Sequence, residues 1–150
     1  VHTLGIPYGM EGTSHMGMKT KIAEYALEEV ISLFPWLNHR ETLEYVNNSL
    51  FYLTVARYEG LPLAVIEAMS LGKAIVASDV AGNKDCVQDG YNGRLIPLEK
   101  GAFVKAICEL VEDKVKRDLY GNNSRILFER EFLITNRIQE LEAIYQSVKL

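Results

Sequence analysis

The chain has 150 residues, 16 Lys+Arg against 20 Asp+Glu, and 48% hydrophobic residues, which excludes intrinsic disorder and fits a single domain over 1–150, since roughly 100–200 residues make one. A net charge of −4 argues against a nucleic-acid partner, and no run approaches the ~18 apolar residues of a membrane span. No signal peptide is visible, and two cysteines, Cys86 and Cys108, are too few for a disulfide framework, so a reducing, cytoplasmic setting is expected.

Residues 1–6 read as a short strand already under way at Val1. Residues 7–17, PYGMEGTSHMG, are rich in glycine and small polar side chains and read as a loop. A helix is expected over 18–28 and a strand over 30–34. Asn38 and Glu41 have capping-box spacing, which predicts a short helix through about Asn47. The apolar run 51–55 has the pattern of a parallel strand buried on both faces. Pro62 suits the first turn of a helix, and Gly72 the position just past its end. A second buried strand is expected at 74–78. Asp89-Gly90 and Asn92-Gly93 signal tight turns before a short strand at 94–96. After Pro97 the period changes. Phe103, Ile107, Leu110 and Val111 recur at helical spacing, as do Ile134, Ile138, Leu141, Tyr145 and Val148. Gly121-Asn122-Asn123 reads as a break or helix start between them. Strands alternating with helices predict an α/β fold with a doubly wound parallel sheet.

The stretch from Arg57 to Gly72 carries the chemistry. Its helix, Pro62 to Leu71, is apolar on nearly every side, with only Glu67 and Ser70 polar; such a helix is normally buried. A lone buried carboxylate is costly unless hydrogen-bonded or paired. Glu67 therefore meets either a ligand or a structural partner such as a backbone amide or an Arg. Glu59 follows the apolar strand, at the carboxyl end where open α/β sheets bind ligands. The amides of Gly60, Leu61 and Leu63 are expected to point out of the helix N-terminus; Pro62 has none. Such a terminus carries about half a positive charge and favours phosphate. Glu59 and Glu67 are separated by about 12 Å at ~1.5 Å per residue. That spacing suits two polyols joined by a diphosphate, with the carboxylates accepting from hydroxyls and the amides on the phosphates.

Glu59 and Glu67 bracket seven residues that begin Gly60-Leu61-Pro62-Leu63. They are followed by Ala68-Met69, by Gly72-Lys73-Ala74-Ile75-Val76-Ala77-Ser78, by Gly82-Asn83 and by Asp89-Gly90-Tyr91-Asn92-Gly93. This combination resembles the retaining glycosyltransferases of family 4, over about residues 30–97 and more loosely to the C-terminus. The resemblance implies the C-terminal, donor-binding half of a GT-B enzyme, a Rossmann-like domain lacking its first strand. It also implies sugar transfer from a nucleotide-diphosphate sugar to a glycan or lipid-linked acceptor, with retention. No metal is required, and no cofactor beyond the donor substrate. By the motif, Glu59 resembles the catalytic-site carboxylate that meets the donor sugar, and Glu67 the one that holds the ribose. Gly60, Leu61 and Leu63 resemble the amides facing the phosphates. Trp36, Leu37 and Asn38 resemble the loop beside the base, and Gly82 and Asn83 a loop facing the donor from the next strand. The sequence departs from the pattern at Leu50, where Asp is common, at Val55-Ala56, where Pro-Ser is common, and at Phe34-Pro35, where a Gly is usual. The basic residues that grip the diphosphate and the acceptor-binding N-terminal domain are expected upstream of Val1.

The remaining polar residues have plainer readings. His2, His15 and His39 lack metal-ligand spacing, so no metal site is expected. Trp36 reads equally as core or as a border of the base, and the cysteines as small hydrophobes. Of Arg57, Lys73 and Lys84, Arg57 is best placed for a phosphate, and Lys73 for the C-terminus of the helix it follows. The charged runs at Glu99-Lys100 and 112–118 read as solvated helix faces. The helix within 132–150 reads as a packing element, and the resemblance implies that its outer face is a candidate interdomain surface. Peripheral membrane contact of the parent enzyme would suit a lipid-linked acceptor. Two rivals share the fold: a noncatalytic nucleotide-binding or interaction module, and a sugar-nucleotide epimerase. The Glu59–Glu67 motif favours the transferase.

Overall fold

The computed structural model describes residues 2–5, 13–34 and 37–148. Expectations for residues 7–12 and for Trp36 fall outside them. The chain divides into two compact units, Val1–Thr42 and Leu43–Leu150.

In the first unit β1 (His2–Gly5) pairs in parallel with β2 (Ile31–Phe34), His2 opposite Ile31 and Gly5 opposite Phe34. The helix between them, α1 (Thr13–Glu24), begins and ends earlier than its expected span of 18–28. Residues 13–17 are thus helical, not loop. The early end has a local cause: Ala26 takes a left-handed conformation (φ 51). Its amide bonds to Ala23 O (3.0 Å) and that of Leu27 to Ile22 O (2.9 Å), the reverse turn that closes a helix. The capping box forms as the spacing predicts. Glu41 N donates to Asn38 Oδ1 and Asn38 N to Glu41 Oε2, both at 3.0 Å, and α2 (His39–Asn48) starts there.

In the second unit β3 (Tyr52–Thr54), β4 (Ile75–Ser78) and β5 (Gly93–Ile96) form a parallel sheet in the order β3-β4-β5. Tyr52 lies opposite Ile75, and Ile75 opposite Gly93. The parallel strands and intervening helices make the fold α/β, as the alternation predicts. All four residues of β4 are 0% exposed, whereas those of β3 are half-buried. In the second unit the two-faced burial expected of 51–55 is complete only in β4, whose two faces carry the two buried apolar clusters. Successive β4 side chains enter opposite cores, as strand geometry requires. Ile75 and Ala77 pack with Val65, Ala68, Met69 and Val87, and Ala74 and Val76 with Phe103, Ala106, Leu110 and Tyr120.

Helix α3 (Leu63–Ser70) stops one residue before Leu71, and Gly72 follows at φ 65, in the role expected of it. The reading of α3 as buried all round fails. Val65, Ala68 and Met69 are buried, but Leu63 is 64% exposed and Glu67 half-buried. Helix α4 (Ala81–Cys86) takes in Gly82 and Asn83, so these two residues are helical and not loop. Helix α5 (Lys100–Glu112) buries Phe103, Ala106 and Leu110 and leaves Val111 outside. Helix α6 (Lys114–Leu127) runs unbroken through Gly121-Asn122-Asn123. The break lies at Asp113, whose carboxylate accepts from Lys116 N (2.8 Å). Gly121 serves contact instead: a Cβ there would sit 2.3 Å from Gly72 O. The charged run 112–118 is not wholly solvated, since Lys116 and Arg94 converge on the part-buried Glu109 (2.8 and 2.5 Å). A π-helical segment, Phe128–Phe132, leads to α7 (Ile134–Ser147). The apolar stripe of α7 is 47–69% exposed.

Candidate functional site

From the end of β3 the chain crosses to α3 through residues 55–62, which carry Glu59 and Gly60. Two hydrogen bonds from the next β–α unit hold this crossing. Ser78 Oγ donates to Ala56 O (2.5 Å), and Gly82 N donates to Glu59 O (3.0 Å). Gly82 lies so close under the crossing that a Cβ would come within 2.4 Å of Gly60 O and 2.7 Å of Glu59 O. The fold thus brings Gly82 and Asn83 beside Glu59 and Gly60. The Asn83 side chain is itself enclosed, at 0% exposed. Its Nδ2 donates to Ser78 O (2.9 Å) and Ser78 Oγ (3.2 Å), and its Oδ1 has no hydrogen-bond partner among the described residues.

The two carboxylates share one neighbour. Burial pushes the Tyr52 phenol above its usual range, and the charges of Glu59 and then Glu67 push it further the same way. Glu59 and Glu67 are therefore both within electrostatic reach of a hydroxyl on β3. Nothing in the apolar run 51–55 marks Tyr52 out; that both carboxylate charges act on it depends on the tertiary fold.

At the start of α3, Pro62 (φ −79, ψ 80) bends the chain so that Leu63 N donates to Leu61 O (2.9 Å). The Leu63 amide, expected to be free, is thus occupied by a local turn. The amides of Gly60, Leu61 and Ala64 have no acceptor among the described residues. Ala64 is the donor that sequence reasoning missed. In the first unit, Leu37 is half-buried, while Asn38 is exposed and committed to its capping box.

Nearby cations are dispersed. Arg57 is exposed, without an ion pair among the described residues, and Lys84 pairs with Asp79 (3.0 Å). Lys73 reaches Asn47 O (2.6 Å) and Ser49 O (3.0 Å), so it caps the end of α2 and not α3. Partial burial lowers its pKa. Among the described residues no His, Cys, Asp and Glu cluster could hold a metal ion, and no helix is long and apolar enough to cross a membrane. A cavity of about 690 Å³ opens beside α3, lined by Leu61, Leu63, Ile66, Arg130, Phe132 and Arg137 among others. Neither Glu59 nor Glu67 lines it, and both of those arginines pair with Glu131 (2.6 and 3.3 Å).

Comparison with known proteins bears on the family and the fold. The UDP-Gal:alpha-D-GlcNAc-diphosphoundecaprenol alpha-1,3-galactosyltransferase of Escherichia coli is 28% identical over 120 residues, covering 79% of this chain and 30% of that protein. Sucrose-phosphate synthase from Thermosynechococcus elongatus superposes with a TM-score of 0.86 at 22% identity, over 97% of this chain and 38% of that one. Anabaena HepE, solved with UDP-glucose, superposes at 0.84 and 20% identity, over 96% and 40%. Both structures share the GT-B glycosyltransferase fold with this chain. The chain spans 22% to 40% of the length of such relatives. The family model described as Glycosyl transferases group 1 matches residues 5–126, which include every element from α1 to α5 and both carboxylates, and the chain belongs to that family.

Proposed function

We propose that this chain supplies the donor site of a retaining, family 4 glycosyltransferase that moves a sugar from a nucleoside-diphosphate sugar to a glycan or lipid-linked acceptor. The observation that supports the reading is the crossing that carries Glu59 and Gly60 into α3, held by Gly82 N on Glu59 O, with Glu67 following on α3, all inside the family-matched segment. The donor diphosphate lies against the amides of Gly60, Leu61 and Ala64, where the helix terminus stabilises negative charge as the nucleoside diphosphate leaves. Glu67 accepts from the ribose hydroxyls and Glu59 from those of the sugar. No metal is needed in this scheme, because backbone amides meet the anion. The relative named for UDP-Gal and the neighbour solved with UDP-glucose support a UDP-sugar as donor. The acceptor groups belong to the remainder of a longer enzyme working in the cytoplasm, so this chain alone binds donor and transfers little.

Titration of the chain with UDP, UDP-glucose, GDP and GDP-mannose tests this. One nucleotide pair should bind. Glu59→Ala should weaken the nucleotide-sugar about tenfold or more and spare the nucleoside diphosphate. Glu67→Ala should weaken both by a similar factor, since hydrogen bonds to a charged group contribute about 1.5–3 kcal/mol. Unchanged affinities in both variants would remove the assignment.

A further inference from the structure

We propose that Ser78 and Asn83 are positioning residues: they set the height of the Glu59 loop against α4 and touch no part of the donor. What Glu59 binds rests on the donor-site reading above; how Glu59 is held does not. Both side chains are 0% exposed. Together they form a relay from α4 to the end of β3. Asn83 Nδ2 donates to Ser78 Oγ (3.2 Å), and Ser78 Oγ donates onward to Ala56 O (2.5 Å). A donor that also accepts is polarised by both bonds, which stiffens the chain they make. Three residues on, Glu59 O accepts from Gly82 N, one residue before Asn83. The relay and this bond clamp the crossing at two points, 56 from the end of β4 and 59 from the start of α4. The missing Cβ of Gly82 lets the clamp close. Asn83 keeps a buried Oδ1 without a partner among the described residues. That is a cost an apolar side chain would avoid, and it is tolerated where the amide nitrogen is needed.

The Gly82 amide reports on the clamp, because Glu59 O is its acceptor and the crossing must stay docked to protect it. Hydrogen exchange is read on the full chain at Gly82, at Val87 (bonded to Asn83 O, 2.8 Å) and at Ile75 (bonded to Asn92 O, 3.2 Å). Ser78→Ala should speed exchange at Gly82 about fivefold or more, the scale of one lost hydrogen bond. Val87 and Ile75 should stay unchanged, and Ser78→Thr, which keeps the hydroxyl, should restore Gly82. If Ser78→Ala loosens the whole unit, Asn83→Leu reads the same amide. Uniform acceleration at all three amides in both variants, or none at Gly82 in either, overturns the proposal. In the same variants UDP-glucose should weaken more than UDP, or GDP-mannose more than GDP, for whichever pair the wild type binds. Equal loss within the pair also overturns it. A wild type that binds neither pair counts against the donor-site reading alone, and the exchange result then decides the clamp by itself.

Discussion

Gly121 and Gly101 both sit in helices, and their surroundings give them opposite values. A Cβ on Gly121 would lie 2.3 Å from Gly72 O, a backbone atom that cannot swing aside. Gly121→Ala should therefore destabilise the fold by about 1–3 kcal/mol. At Gly101, in the first turn of α5, a Cβ meets nothing within 4 Å. Gly101→Ala should stabilise by about 0.4–1 kcal/mol through the unfolded chain. Urea unfolding of the two variants checks both signs. Cys86 offers a pH test. Burial, with a smaller contribution from Asp85, raises its thiol to about 11. The unfolded chain releases this proton at lower pH than the folded one, so the stability Cys86 lends is complete below the ordinary thiol pKa. It declines as pH rises toward 11. Tyr52, also raised, acts in the same direction. Thermal midpoints should fall between pH 8 and about 10.5, and at pH 8 iodoacetamide should label the exposed Cys108 and spare the buried Cys86 until unfolding.

At the scale of single elements, terminal chemistry decides where helices begin. The reciprocal bonds of Asn38 and Glu41 satisfy two donors at the start of α2, a helix with no fully buried residue. Asn38→Ala should cost about 1 kcal/mol, and Asn38→Asp, which keeps the acceptor, much less; a denaturant series on both separates the cap from side-chain size. The cap at Asp113 works in the same way for α6. These signals are local, and the Asn38–Glu41 spacing was readable without a structure. The Pro62 turn was not. Pro62 announces a helix start, but whether Leu63 N stays free depends on ψ at Pro62, which its neighbours set. The helical state of Gly82 and Asn83 was equally hidden, because α4 is six residues long and owes its place to Glu59 O and Ser78.

At the scale of the whole molecule, the apolar stripe of α7 departs from a closed core. Ile134, Ile138, Leu141, Tyr145 and Val148 recur at helical spacing and remain 47–69% exposed. Within this chain the stripe therefore contributes little to folding. Leu141→Lys should change stability by less than about 0.5 kcal/mol, whereas Leu110→Ala, at a 0% exposed site, should cost about 2–5 kcal/mol. Thermal unfolding of both variants gives the comparison. The chain spans 22% to 40% of the length of its relatives.

The amino-acid sequence by itself determined the order of the strands, the cap at Asn38, the role of Gly72 and the family, all of which rest on period, turn chemistry or contiguous motif. It also held the two carboxylates in one motif. Tertiary structure alone decided that β4 and not β3 is buried on both faces, that Tyr52 lies within reach of both Glu59 and Glu67, that Gly121 is a contact and not a break, and that Lys73 caps the end of α2. The physical reason is the same in each case. Propensity and periodicity act between residues a few positions apart, while burial, close approach and charge coupling depend on which segments the fold lays side by side.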